Sequence, residues 1–123
     1  MTQVILGPNE TVKFQAYCKS KPAEDMLFSV YLLTLTTKRV FAEDELGTLI
    51  FNYYIKDIDR GEIDKTFWKG TRVKLVLRNG NNHLFWVMKD SIMEDAATSQ
   101  RLINMINQVI LVMRNQPAQP AAE

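Results

Sequence analysis

The chain changes its hydrophobic period once. From Glu10 to Met88 apolar residues tend to recur at every second position, and after Lys89 they recur at every third or fourth. A period of two marks strands with one buried face, whereas a period near 3.6 marks a helix with one buried stripe. Val12, Phe14, Ala16 and Cys18 alternate with Thr11, Lys13, Gln15, Tyr17 and Lys19. Lys19 to Asp25, with Pro22 inside, breaks the pattern and reads as a loop. Phe28 to Leu35 is a more continuous run of strand formers, which Thr36-Thr37-Lys38 turns into Arg39 to Glu43. Glu45-Leu46-Gly47 turns the chain again before Thr48 to Ile55, and Ile58 to Trp68 ends at Lys69-Gly70. Turn signals about every ten residues predict an antiparallel meander that closes as a barrel or sandwich.

Asn79-Gly80, between Arg72–Arg78 and Asn81–Met88, is the dipeptide of a two-residue type I′ hairpin turn. That turn pairs Leu75 with Leu84 and Val73 with Trp86. It sends Val73, Leu75, Leu77, Leu84 and Trp86 inward, and it leaves Arg72, Lys74, Val76, Arg78, His83, Phe85 and Val87 together on the outer face. A four-residue loop keeps the same face inward; only an odd loop inverts it.

Ser91-Ile92-Met93-Glu94 matches a capping box and predicts a helix start. Leu102, Ile103, Ile106, Val109, Ile110 and Met113 then fall within an arc of about 120° on a helical wheel, which is a core-facing stripe. Gln100, Asn104, Asn107 and Gln108 occupy the opposite side. Asp95 and Ser99 interrupt the stripe, so the first turns are expected to overhang the sheet. The helix is predicted to end near Arg114. The chain of 123 residues has the size of one domain, expected over 1–115, and 116–123 reads as a flexible tail.

Charge excludes some functions. Lys plus Arg number 15 against 14 Asp plus Glu, so no global field draws in nucleic acid. Apolar runs such as Tyr31–Leu33 and Val109–Met113 fall far short of the roughly 20 residues of a membrane span. The start of the chain has no basic leader, and the expected location is the cytoplasm.

The chemistry-bearing residues are few. Cys18 is the only cysteine and, by alternation, a small inward hydrophobe, which excludes a disulfide framework. His83, the only histidine, reads as a solvated strand residue. Asp57, Asp59, Glu62 and Asp64 interleave with Lys56, Arg60 and Lys65, the pattern of an ion-paired exposed strand rather than a cation site. Glu43, Asp44 and Glu45 read as a solvated hairpin tip. No glycine-rich phosphate loop is present. The expectation is no enzyme, no metal and no cofactor.

About seven strands followed by one amphipathic helix resembles the pleckstrin-homology-like superfamily, in particular its GRAM-type and bacterial PH-like domains. Leu35-Thr36-Thr37-Lys38-Arg39-Val40-Phe41 is similar to their strand-turn-strand segment, and Tyr54-Ile55-Lys56-Asp57-Ile58 to their "aliphatic-x-D-I" segment. Phe85-Trp86-Val87 stands where their aromatic strand precedes the helix. The likeness runs roughly from Glu10 to Met113, with a helix somewhat long for the family. It implies a mainly β fold with a C-terminal α-helix, a partly open antiparallel barrel capped by that helix.

The resemblance also implies binding rather than catalysis. The leading expectation is a non-enzymatic interaction module that binds a protein partner through Arg72, Lys74, Val76, His83, Phe85 and Val87, an apolar centre with a basic margin. Met105 and Val112, seven positions apart beside the main stripe, with Met93 and Leu111 on the back, add an expectation of homo-oligomer formation through the helix. The alternative is a peripheral membrane domain that binds an anionic lipid headgroup with Lys19, Lys21, Lys38 and Arg39. Against it, the strand from Phe28 to Leu32 carries no Lys or Arg, while Glu24 and Asp25 oppose the loop cations.

Overall fold

Alternating apolar residues build seven strands, and the change of period builds one helix. The computed structural model describes residues 4–19, 30–68, 70–89 and 93–115. Its elements are β1 (Val12–Lys19), β2 (Tyr31–Thr36), β3 (Arg39–Glu43), β4 (Leu49–Tyr54), a single 3-10 turn (Ile55–Asp57), β5 (Ile58–Thr66), β6 (Gly70–Leu77), β7 (Asn82–Met88) and α1 (Ala96–Asn115). The sheet order is β4-β3-β2-β1-β7-β6-β5 with antiparallel neighbours throughout. β4 and β5 are the two edges, joined in sequence by the 3-10 turn but not hydrogen-bonded to each other. The result is the expected partly open barrel with a C-terminal helix.

The core is Cys18, Leu33, Leu35, Val40, Ala42, Phe51, Ile55, Ile58, Val73, Leu75, Phe85 and Val87 from the wall, closed by Leu102, Ile103, Ile106 and Ile110 of α1. The helix runs along β5 and also reaches β6, β1 and β7. No described helix is long and apolar enough to cross a membrane. All of the loop predicted over Lys19–Asp25 beyond Lys19 itself, the proposed capping residue Ser91 and the tail 116–123 lie outside the described residues.

The β6–β7 hairpin departs from its expected register by one residue. Leu77 N–H donates to the Asn81 carbonyl at 2.8 Å, and Gly80 N–H donates to the Leu77 carbonyl at 3.0 Å, so the loop is Arg78-Asn79-Gly80. A type I′ turn needs positive φ at both central residues; here Gly80 alone has it, at 92°. This is a type I turn followed by a left-handed glycine, the usual three-residue connection. Val73 therefore pairs with Phe85, and Leu75 with His83. The odd loop turns β7 over, so His83, Phe85 and Val87 face the interior while Leu84 and Trp86 face out. Phe85 and Val87 are fully buried.

The helix begins later than the capping box suggests. Asp95 is the N-cap: its Oδ1 accepts from Thr98 N–H at 3.0 Å, and its Oδ2 from the Thr98 hydroxyl at 2.7 Å. Glu94 instead accepts from Thr71 N–H at 3.1 Å and bridges to Met88. Ser99 is fully buried rather than overhanging, its hydroxyl satisfied by the Asp95 carbonyl at 2.8 Å. A small residue there lets the first turn sit against the wall.

The outer face of β2 and β3 is also covered. Thr34, Thr36, Arg39, Phe41 and Glu43 are all buried, although they lie opposite the core face. Glu43, expected at a solvated tip, is 1% exposed. The tip itself is the turn from Asp44 to Thr48, where Asp44 Oδ1 accepts from the Leu46 and Thr48 amides, both at 2.9 Å.

Candidate functional site

Three groups of candidate residues meet different fates. In the proposed protein-binding face, Arg72, Lys74 and Val76 do point outward, but their aromatic partner is Trp86. The Arg72 guanidinium lies 5.6 Å over the Trp86 ring and binds Asp64 at 2.7 Å. Lys74 stands 3.8 Å from Glu62. Arg60 bonds Asp59 at 2.6 Å and Glu62 at 2.9 Å, so β5 is the ion-paired strand its sequence suggests.

His83, Phe85 and Val87 belong to the barrel interior instead. Phe51 stacks on Phe85 with centroids 5.3 Å apart and approaches His83 at 4.5 Å, and the Tyr53 hydroxyl lies 3.2 Å from His83 Nδ1. Burial among these rings lowers the imidazole pKa to about 4 and raises that of Tyr53. His83 is not the solvated strand residue its neighbours suggest. Cys18 is buried as expected, its thiol pushed up to about 12 by desolvation, which makes it inert at neutral pH.

The headgroup set is dispersed. Lys19 ends β1, while Lys38 and Arg39 sit beside its start, because Val12 pairs with Thr36. Seven strand residues at about 3.3 Å each separate the two ends by roughly 23 Å, too far for one headgroup. Lys21 lies outside the described residues. Arg39 is a structural cation: Nε binds Glu10 Oε2 at 2.8 Å, Nη2 donates to the Ile5 carbonyl at 3.1 Å, and the guanidinium rests 4.8 Å over Phe41. Its side chain is only 11% exposed, so it offers no free charge to a ligand.

Lys38, Met105 and Val112, assigned to separate roles from sequence, come together. They line one groove of about 540 Å³ with Asn9, Lys13, Thr37, Gln108, Val109 and Met113. The β2–β3 turn supplies Thr37 and Lys38, β1 supplies Lys13, and α1 supplies the apolar floor. Met105, Val109 and Val112 follow the i, i+4, i+7 spacing of one helix face, beside the stripe that enters the core. Val112 is 54% exposed. Lys13 and Lys38 carry no ion pair among the described residues. The groove thus joins an apolar floor to a cationic rim.

One pair of residues escaped the sequence reading. Phe67 and Trp68, taken only as the end of a charged strand, project from the β5–β6 connection. The signal was local: two large aromatics directly before the Lys69-Gly70 turn, where a strand has no core left to face.

No family model matches the chain, and no curated protein matches it. Among solved structures, the hSac2 domain from human phosphoinositide phosphatase Sac2 superposes with a TM-score of 0.61, over 94% of this chain and 85% of that one, at 16% sequence identity. At that identity the likeness is one of fold.

Proposed function

We propose that the chain is a non-catalytic, cytoplasmic binding module of the PH-like kind, close to GRAM-type and bacterial PH-like domains, which holds a protein partner in the groove between α1 and the β2–β3 turn. The observation that carries this reading is the joining of Met105, Val109, Val112 and Met113 to Lys13 and Lys38 in one open cleft. Such a cleft suits an extended or helical segment with two or three apolar side chains flanked by Asp or Glu. The apolar floor supplies affinity, and the lysines set orientation and on-rate. The sole histidine is held neutral inside the barrel and the sole cysteine is buried, which favours display over catalysis.

Selection from a displayed peptide library tests it. Apolar peptides with acidic flanks should emerge, and Val112→Asp should abolish their binding while the fold is retained. Peptides that ignore Val112→Asp would place binding elsewhere. A second copy of the chain is the other protein occupant, since Val112 and Leu111 are both exposed. Concentration-dependent light scattering that becomes monomeric in Val112→Asp would identify that arrangement. A second reading, an anionic headgroup held by Lys13 and Lys38, draws on the phosphoinositide phosphatase to which the hSac2 domain belongs. Soluble inositol phosphates that shift the amide resonances of Lys13 and Lys38 would favour it.

A further inference from the structure

The β5–β6 hairpin ends in a feature that the groove does not use. Thr66 pairs with Gly70, so the connection begins with Phe67 and Trp68 and is completed in sequence by Lys69. Phe67 is 90% exposed and Trp68 is 88% exposed, and their rings meet edge-to-face at 4.9 Å. Adjacent large aromatics this bare are rare on a protein that meets only water, and they mark a contact surface.

The surrounding charge narrows the contact. Lys65 precedes the pair and Lys69 follows it. Asp64, the nearest acid on β5, is held by Arg72 at 2.7 Å. Glu94 lies at the root of the hairpin, where it accepts from Thr71 N–H at 3.1 Å and packs against Gly70. That contact brings up Met93, 57% exposed, whose carbonyl accepts from Lys89 N–H at 2.8 Å. The tip is therefore a projecting aromatic pair with the exposed Lys65 at its base.

We propose that this tip inserts into the headgroup layer of an anionic phospholipid bilayer, with Phe67 and Trp68 entering the interface and Lys65 and Lys89 meeting lipid phosphates. Protein hot spots sit inside patches whose neighbours exclude water. Phe67 and Trp68 stand out from a narrow ribbon instead, a shape suited to a fluid slab. Tryptophan and lysine are the side chains that anchor at the bilayer interface, and clustered lysines add attraction to anionic lipid. Two rings and two lysines give weak, reversible attachment. The site is separate from the groove, so the two proposals stand or fall apart.

Sedimentation with phosphatidylcholine vesicles, with and without phosphatidylserine, tests it. The protein is expected to pellet with the anionic vesicles and to be released by salt. Trp86→Phe leaves Trp68 as the sole tryptophan, and its emission should move to the blue on binding. Quenching of the unaltered protein by brominated lipid gives the same reading should Trp86→Phe perturb the fold. Phe67→Ser with Trp68→Ser should keep the melting transition and lower vesicle partitioning by about tenfold or more, whereas Val112→Asp should pellet as wild type does. Unchanged Trp68 emission with anionic vesicles, or equal pelleting of the double variant, overturns the proposal. So does a tip variant that dissociates a dimer while wild type ignores vesicles, since the tip is then a protein contact.

Discussion

The side-chain amide of Asn107 on α1 grips the backbone of Gly61 on β5: Oδ1 accepts from Gly61 N–H at 2.9 Å, and Nδ2 donates to the Gly61 carbonyl at 3.1 Å. β5 is an edge strand, paired with β6 on one side only. Asn107 therefore completes the ladder as a neighbouring strand would, and it fixes the helix along the open edge. A Cβ at Gly61 would stand 3.6 Å from Ile106 Cγ2 and 3.8 Å from Ile103, ordinary contact distances, so the apolar stripe of the helix packs directly over this backbone.

Asn107→Ala removes both bonds and leaves a partly buried peptide with no partner. The expected loss is about 1–3 kcal/mol of unfolding free energy, read as a lower urea midpoint with an unchanged slope. A loss below about 0.5 kcal/mol would mean that water satisfies the edge equally well.

Glu10 and Arg39 form the second tie across the fold. Burial raises the Glu10 pKa, but hydrogen bonds from Arg39, the Thr36 hydroxyl and the Gly7 amide, together with the Arg39 charge, outweigh it and hold the carboxyl below its ordinary value of 4.5. A depressed carboxyl stabilises the fold above its unfolded pKa, and this contribution is lost as pH falls through the folded value. Denaturation midpoints should therefore drop below pH 4.5, and Glu10→Gln should flatten that drop. Glu10→Ala strands the guanidinium and should cost about 3–5 kcal/mol at neutral pH, with most of it recovered by pairing it with Arg39→Met.

His83 acts in a separate and higher window. Its folded pKa of about 4 lies below the ordinary 6.5, so both folded and unfolded chains are neutral above pH 6.5 and no penalty applies there. Between 6.5 and about 4 only the unfolded chain takes up the proton, and stability falls with pH. Half-burial caps the loss at about 3 kcal/mol. His83→Phe should abolish this slope, and the imidazole resonances should titrate near 4 in the wild type. A ring titrating near 6.5 would place His83 in solvent.

Much of the architecture was legible because burial writes its period directly into the chain: alternation gave the strands, and the stripe from Leu102 to Met113 gave the helix. What stayed hidden depends on partners far away in sequence. Arg39 looks like a spare cation until Glu10, 29 residues earlier, is found against it. Asn107 looks like helix exterior, because a helical wheel assumes that the wall offers only apolar surface, whereas an edge strand also offers peptide groups. Lys13, Lys38 and Val112 make a groove only once three separate segments are folded together. The face of β7 turned on a single loop residue, a choice to which the apolar content of the strand is indifferent: Leu84 and Trp86 would fill a core as readily as Phe85 and Val87.

That indifference makes the register testable by charge. Phe85 is fully buried against Phe51, so Phe85→Asp places a carboxylate among the apolar side chains of the barrel centre and should abolish cooperative unfolding. Leu84 is paired across the sheet with Lys74 on the outer face. Leu84→Asp gains an opposite charge there while losing a half-buried side chain, and it should fold with a cost of about 1 kcal/mol or less. A two-residue turn at Asn79-Gly80 predicts the reverse ranking, because it buries Leu84 and exposes Phe85. Thermal melts of the two variants followed by near-ultraviolet circular dichroism separate the registers. A folded Phe85→Asp beside an unfolded Leu84→Asp would return His83 and Val87 to the surface.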